Sequence, residues 1–549
     1  MSRPLFAPHR PQTVIPAARR NVPLIAMSET LSRPQSRKTR PRRQIKELIN
    51  IYGTANTGDA VKLDEFRRRL EDCDDVIYTD IVIGKNVRAT VLTVDGMVDA
   101  QLLNESILKP LVLDARFGGA ETADDVRGLI ADGYVYHSQR VATGSFKDAM
   151  ASLLFGGAVL VFEDGGEAVL FDVKGFEHRG ISEPTTENVL KGSKDAFVES
   201  LRTNTAIMRK RVQTDDLKIV QTTVGRRTNT PVALVYIKGV ANSELVKSVT
   251  EKIEAADLDG LVSAGQLESV LQKYYRSIFP QLLYTERADK FVGNILEGRV
   301  GIFVDGLPFG YVMPVDLNAF LQSADDYSLH FVTASLLRIL RYFCTFAALV
   351  LPGFYVAVMS FHQEMIPTKL VVAIIASKRG VPFPSYLEAI LMLVALEILL
   401  EAGARLPQAV GQTVGIVGAL VIGQAAITAH ILSPGVVIVV SSAGIAGFVV
   451  PNQDLSIAVR TCRMLLVLLT SLAGLFGLSV GLVVILYHLC SIEVFGTPYL
   501  SPAGGAEWKR LLSDTIVRQE WYKQNVRPPH IHPEDDIRLR DTRKDENEI

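Results

Sequence analysis

The chain has 549 residues, 48% hydrophobic and 21% charged, with 58 basic and 59 acidic side chains and a formal net charge of −1. So even a balance gives no overall electrostatic pull toward nucleic acid, and the length allows two or three domains. Cys73, Cys344, Cys462 and Cys490 form no CxxC spacing and the nine histidines no HExxH, which argues against a disulfide framework and the common zinc signatures.

The mean hydropathy of +0.21 hides a division: residues 1–335 carry charge at ordinary soluble density, and 343–490 hold long apolar runs. Residues 1–43 mix proline with arginine (Arg19-Arg20, Arg37-Lys38, Arg40, Arg42-Arg43) and are read as a disordered, solvated tail, because such a composition buries too little apolar surface to fold. No apolar signal core precedes a cleavage site there, and Met27 offers an alternative start. Helical spacing follows at 45–52 and 61–70. Two strands over 76–94 flank Gly84-Lys85-Asn86, and helix returns at 100–111. A second hairpin surrounds Glu163-Asp164-Gly165-Gly166. Helix is predicted over 195–211, strands over 217–224 and 232–237, helix over 243–255, and a closing hairpin around Asp305-Gly306. The stretch IVIGKNVRATVLTVDGMVDAQLL from Ile81 resembles TTVGRRTNTPVALVYIKGVANSEL from Thr222, each running strand, turn, strand, loop, helix. The soluble part is therefore read as two small α/β subdomains, 44–185 and 186–325. Nothing in it has nucleophile–base, phosphate-loop or metal-ligand spacing. No catalytic residue, cofactor or metal is expected, and an enzyme is the least favoured class.

Five apolar stretches (343–361, 386–400, 414–429, 431–450 and 464–490) point to a polytopic helical membrane domain over 336–503, followed by a charged tail, 504–549. A shorter piece, 370–376, lies between Pro367 and Pro382 and suits an in-plane or re-entrant segment. Arg338 and Arg341 before the first stretch put the soluble part in the cytoplasm. Lys509 and Arg510 after the last stretch agree, Arg460 and Arg463 before it argue the other way, and both four and six crossings stay open. Gly411, Gly415, Ala419 and Gly423 are spaced by four, as are Ala473, Gly477 and Gly481. Such ladders let helix backbones approach closely, within one chain or between copies. Glu397, Glu401 and Arg405 stack along one helix face; Glu401 pairs with Arg405, Glu397 is left over, and Glu388 turns to the opposite face. The row is either an interfacial structural pair or a cation-lining, gating cluster.

Several motifs in this order resemble one family: KGSKDAFVESLRTNTAIMRKR from Lys191, FPQLLYTERAD from Phe279, LEGRVGIFVDGLP from Leu296, ADDYSLHF from Ala324, SFHQEMIPT from Ser360, VPFPSYLEAI from Val381, EAGARLPQAVGQTVGIVGALVIGQAA from Glu401 and FGTPYLSP from Phe495. Together they are similar to the A subunit of GerA-family spore germination proteins over roughly residues 45–503. Ala288 stands where the family pattern has proline and Thr497 where it has valine. The resemblance implies a multi-pass subunit of the spore inner membrane. It would work with a permease-like B subunit and a lipoprotein C subunit and assemble into an oligomeric, nutrient-gated ion channel. It equally covers a paralogue associated with dipicolinate release. A secondary transporter and a non-conducting scaffold for the B and C subunits are the other readings.

Overall fold

A computed structural model describes residues 61–137, 139–175, 187, 189, 191–405, 423–503 and 514–539. The arginine/proline tail, the predicted helix 45–52 and the ladder positions Gly411, Gly415 and Ala419 lie outside the described residues.

Helix α1 (Leu63–Arg69) leads into β1 (Val76–Ile83) and β2 (Val87–Val94), a helical segment over 100–113, α2 (Ala123–Ala131), β3 (Arg140–Thr143), α3 (Phe146–Leu154), β4 (Ala158–Phe162) and β5 (Ala168–Phe171). The strands make one antiparallel sheet in the order β1-β2-β4-β5-β3. Side chains alternate across a strand. Leu160 and Phe162 therefore pack with Leu111, Val126 and Ile130 on one face, and Val159 and Val161 with Phe66 and Leu153 on the other. Helices cover both faces, which is why every residue of β4 is buried and apolar rather than alternating with polar ones.

The second subdomain contains α4 (Leu201–Arg211), β6 (Leu217–Val224), β7 (Thr230–Ile237), α5 (Ser243–Glu254), α6 (Ala264–Leu271), β8 (Leu283–Thr285), α7 (Ala288–Leu296), β9 (Val300–Val304) and β10 (Gly310–Met313). Its antiparallel sheet runs β6-β7-β9-β10-β8, so in both sheets the strands lie in the order first, second, fourth, fifth, third. The two similar sequence stretches occupy equivalent hairpins. Equivalent turns also share left-handed glycines: Gly84 with Gly225, Gly96 with Gly239, Gly156 with Gly298, and Gly165 with Gly306. Helix α4 starts later than the pattern predicts because Ser200 caps it, its side chain accepting from the Thr203 backbone N–H. The subdomains join through a Cys73–Ile219 bridge and the buried Arg209, whose Nε and Nη2 donate to Asp75 at 2.7 and 2.8 Å.

Among the described residues, the apolar half contains α8 (Phe331–Ser360), α9 (Thr368–Ser377), α10 (Ser385–Arg405), α11 (Gly423–Thr428), α12 (Pro434–Phe448) and α13 (Gln453–Ser491). Among the described residues, α8 and α13 are long and apolar enough to cross a membrane by length and composition. The run 464–490, read from sequence as a single stretch, belongs to a helical hairpin. Ala473 (φ −134°, ψ 15°) and Gly474 (φ 59°, ψ −139°) break α13 into the arms 453–472 and 475–491. A Cβ placed on Gly481 would come within 2.5 Å of Leu466 Cδ2; in a straight helix those two residues would stand roughly 22 Å apart. The tip of the hairpin meets Phe361 and His362 beyond the end of α8.

From this tip the direction of each helix follows. Helix α8 runs from the second subdomain, where Tyr342 donates to Asn318 at 2.8 Å, to the far end. Helix α10 begins at the far end beside Lys378 and returns. His430, just past α11, packs on Gly380 at the far end, and α12 returns from there, its Gly447 carbonyl accepting from Ser456 of α13. The second arm of α13 comes back to the subdomain, where His488 Nε2 lies 2.9 Å from Ser277 Oγ. The chain then pairs β11 (Glu493–Val494) with β12 (Thr497–Pro498). The second subdomain and the bundle share one apolar cluster, which includes Phe303, Phe320, Ala348, Leu455 and Tyr499. Residues 514–539, expected as part of a charged tail, pack back on this junction: Arg527 Nε donates to the Leu296 carbonyl at 3.0 Å, and Glu534 accepts from the Ser243 N–H at 3.0 Å.

Candidate functional site

Three groups of charge sit in or beside the apolar bundle. The first is the acidic row on α10. Glu401 accepts from Arg405 at 2.5 Å within the helix, and both side chains are exposed. Glu397 is not left over: Arg460 of α13 pairs with it at 3.1 Å, and its side chain is half-exposed. Sequence spacing within one helix cannot register a partner sixty-odd positions away, so this pair was invisible to it. The row therefore holds two carboxylates and two guanidiniums, with Glu397 bridging two helices.

The second group was not among the predicted site residues. Glu388 is fully buried at the far end, where Lys378 pairs with it at 3.0 Å and the Ser433 N–H donates to its Oε2 at 2.7 Å. Lys378 also donates to Ser385. Glu388 thus joins the α9–α10 loop to the start of α12. Its burial could have been suspected from a carboxylate in the first turn of an apolar helix, where the N-terminal dipole favours it.

The third group closes the near end. Asp326 is fully buried and accepts from Arg341 Nη2 and Nη1 at 2.6 and 2.8 Å and from Arg338 Nε at 3.0 Å. Burial alone would raise this carboxyl, but the Arg341 hydrogen bonds and charge, with Arg338, hold it below the ordinary carboxylate value. Arg338 also reaches Asp514 at 3.1 Å, and Arg518 Nη1 donates to the carbonyls of Asp326 and Leu329. The soluble subdomain, α8 and the C-terminal segment therefore meet at one carboxylate. Beside the start of α13, burial pushes Glu268 of α6 up to about 7, the Asp454 charge adding to the effect.

The glycine ladders have a mixed outcome. Gly477 packs against the Leu469 carbonyl and Gly481 against Leu466, so this close approach is between the arms of one hairpin. Ala473 lies in the break and not on their helix. Gly423 is buried, and a methyl placed on it would stand an ordinary 3.8 Å from Val437 of α12. Among the described residues no cluster of three His, Cys, Asp or Glu side chains could hold a metal.

The motifs and this architecture meet in the comparison with known proteins. The sequence profile of the Bacillus/Clostridium GerA spore germination proteins matches residues 64–530. The chain belongs to the GerA spore germination protein family. Spore germination protein KA of Bacillus subtilis (strain 168) is 37% identical over 484 residues, 87% of this chain and 88% of that protein. Spore germination protein B1 of the same organism is 35% identical over 480 residues, 87% of this chain and 98% of that one. Its uncharacterized membrane protein YfkQ is 36% identical over 459 residues, covering 83% and 88%. The crystal structure of the N-terminal domain of the A subunit of the Bacillus megaterium spore germinant receptor GerK3 is 28% identical; it covers 47% of this chain and 98% of that chain, with a TM-score of 0.38. The two departures of this GerA-family chain from the family pattern are absorbed locally. Ala288 begins α7 fully buried, and the Thr497 hydroxyl donates to the His530 carbonyl at 3.1 Å.

Proposed function

We propose that this chain is the A-type membrane subunit of a spore germinant receptor. In this reading it sits in the spore inner membrane with its two sheets in the cytoplasm, and its copies assemble into a nutrient-gated cation channel. A permease-like B subunit binds the nutrient and a lipoprotein C subunit completes the complex. Family membership supports the germination role. The course of the described helices supports an even number of crossings, because α8 leaves from, and the second arm of α13 returns to, the end at the second subdomain. The observation that carries the channel reading is the Glu397–Arg460 pair, half-exposed on an apolar bundle. A charge facing lipid is costly. A ring of copies that turned α10 toward a common axis would put Glu397 in water, where a circle of carboxylates attracts cations. Nutrient binding in the partner would open the ring only through its differential affinity for the open state.

The test is Glu397→Gln, which keeps the shape of the side chain and an acceptor for Arg460. Potassium release from germinating spores is expected to slow several-fold at an unchanged receptor level. Normal release at a normal level would return Glu397 to a packing role.

A further inference from the structure

The loop 272–282, between α6 and β8, lies at the foot of the bundle. Ser277 Oγ stands 2.9 Å from His488 Nε2, and the Phe279 ring packs 6.0 Å from the same imidazole, so the loop sits directly below the second arm of α13. Val484, one turn above His488 on the same face of that helix, is exposed, as are Val483, Leu486 and Tyr487. The loop continues this uncovered surface: Tyr275 is 69% and Ile278 49% exposed. Exposed tyrosine beside apolar side chains, at the end of a helix long enough to span, is the composition of the boundary between lipid and water.

The charge at this place is positive. Arg276 is exposed, with its Cζ 5.5 Å from the centre of the Tyr275 ring. Lys273 is exposed, and its contact with Glu493, at 4.0 Å, is at the limit of an ion pair. Lys252 of α5 lies 4.4 Å from the centre of the Phe495 ring and donates to the Leu271 carbonyl at 2.7 Å. Lys252 and Lys273 line a space of about 160 Å³ together with Gln272, Gln281 and Phe495, and among the described residues no acidic side chain lines it. Burial, with the charge of Lys273, holds Lys252 below the ordinary lysine value. An anion between the two ammonium groups would relieve that repulsion.

We propose that the foot of α13 is a docking site for an anionic phospholipid: Tyr275 and Ile278 enter the lipid boundary, and Lys252 and Lys273 hold the headgroup phosphate, with Arg276 adding charge at the boundary. Ammonium and guanidinium groups make charge-assisted hydrogen bonds to phosphate, and basic side chains at a membrane surface attract anionic lipids. A lipid held there ties α5 and the loop after α6 to the end of α13, so it stabilises the second subdomain on the bundle. The site rests on the reading that the bundle lies in a membrane, and it is separate from the acidic row of α10.

The experiment uses the full chain in dodecyl maltoside and reads its thermal midpoint with dioleoylphosphatidylglycerol or dioleoylphosphatidylcholine added at equal concentration. The two lipids share their acyl chains and differ in headgroup charge. In the wild type the anionic lipid is expected to raise the midpoint by about 3 °C or more beyond the zwitterionic one. The double variant Lys273→Gln/Arg276→Gln changes two exposed side chains, and it is expected to lose at least half of that excess. Tyr275→Glu, which sets a like charge against the headgroups from outside the cavity, is expected to lose it too. Lys85→Gln/Lys109→Gln removes two exposed lysines of the first subdomain and should keep the excess in full. The proposal is overturned by any of four results: no excess in the wild type, an excess retained in both foot variants, an equal loss in the first-subdomain variant, or inorganic phosphate raising the midpoint as much as the anionic lipid does. Release of the chain from membranes by alkaline carbonate would refute the membrane reading and this site with it. A missing lipid preference in a chain that carbonate leaves in the membrane would refute this site alone, and a failed Glu397 test leaves it untouched.

Discussion

Asp326 is one carboxylate that answers for two buried guanidiniums. If it is neutralised, Arg341 keeps the Leu321 carbonyl and Arg338 keeps Asp514, but the charge buried between them loses its counter-ion. Breaking a buried pair from one side typically costs about 3–5 kcal/mol, because the surviving charge stays desolvated. Asp326→Asn is therefore expected to lower the unfolding free energy of the detergent-extracted protein by about 3 kcal/mol or more. Lys85→Met, which breaks the exposed Lys85–Glu121 pair, should cost less than about 1 kcal/mol. Equal midpoints in a thermal unfolding series would refute the distinction. The pH dependence has a definite sign. Folding lowers the Asp326 pKa, so the contribution is complete above the unfolded value of about 3.9 and fades as pH falls through the folded value.

At the scale of elements, the hairpin of α13 depends on one residue. Gly474 has φ 59° and ψ −139°, and a Cβ there would come within 2.9 Å of Phe361 Cβ. A side chain in such a backbone region costs on the order of 1–3 kcal/mol before any clash. Gly474→Ala should reduce the level of folded protein in the membrane and lower its thermal midpoint in detergent. Gly403→Ala, inside α10 with nothing near the new methyl, should leave the level unchanged or raise stability by about 0.5–1 kcal/mol. Matching losses in both variants would mean that the bend tolerates a side chain. The same scale explains why the run 464–490 looked like one span: continuous hydropathy marks apolar helix, and a two-residue reversal inside it leaves the average untouched.

For the whole molecule, the first subdomain has its own cores on both faces of its sheet, and these include no bundle residue. The second subdomain keeps its own core on one face of its sheet and shares the other with α8, α12 and α13. Residues 514–539 then tie that shared unit together through Asp514, Arg518, Arg527, Glu534 and Arg538. Truncation after residue 513 should therefore loosen only one of the two halves. The expected result is a fall in thermal midpoint of roughly 5 °C or more for the bundle and second subdomain, at about 2–4 °C per kcal/mol. Amide exchange in β2, β4 and β5 should be unaltered. Unchanged stability of the truncated chain, or a loss spread over both sheets, would contradict this division.

Local pattern revealed much, although the capped helices α2 and α3 were not read from it. Alternation and turn residues placed the four hairpins, apolar runs marked the bundle, and ordered motifs led to the family, while the short edge strands β3 and β8 went unread because they carry no hairpin turn of their own. Even the duplication was legible in one pair of stretches, because the Gly84 and Gly225 turns must each take a left-handed backbone. The rest concerned partners distant along the chain. Strand order, the fold-back at Ala473–Gly474, the pairing of Glu397 with Arg460, the burial of Glu388, and the docking of 514–539 are decided by which surfaces meet. A charge in a sequence shows its neighbours within a helical turn; whether it is buried, and against what, exists only once the chain has closed on itself.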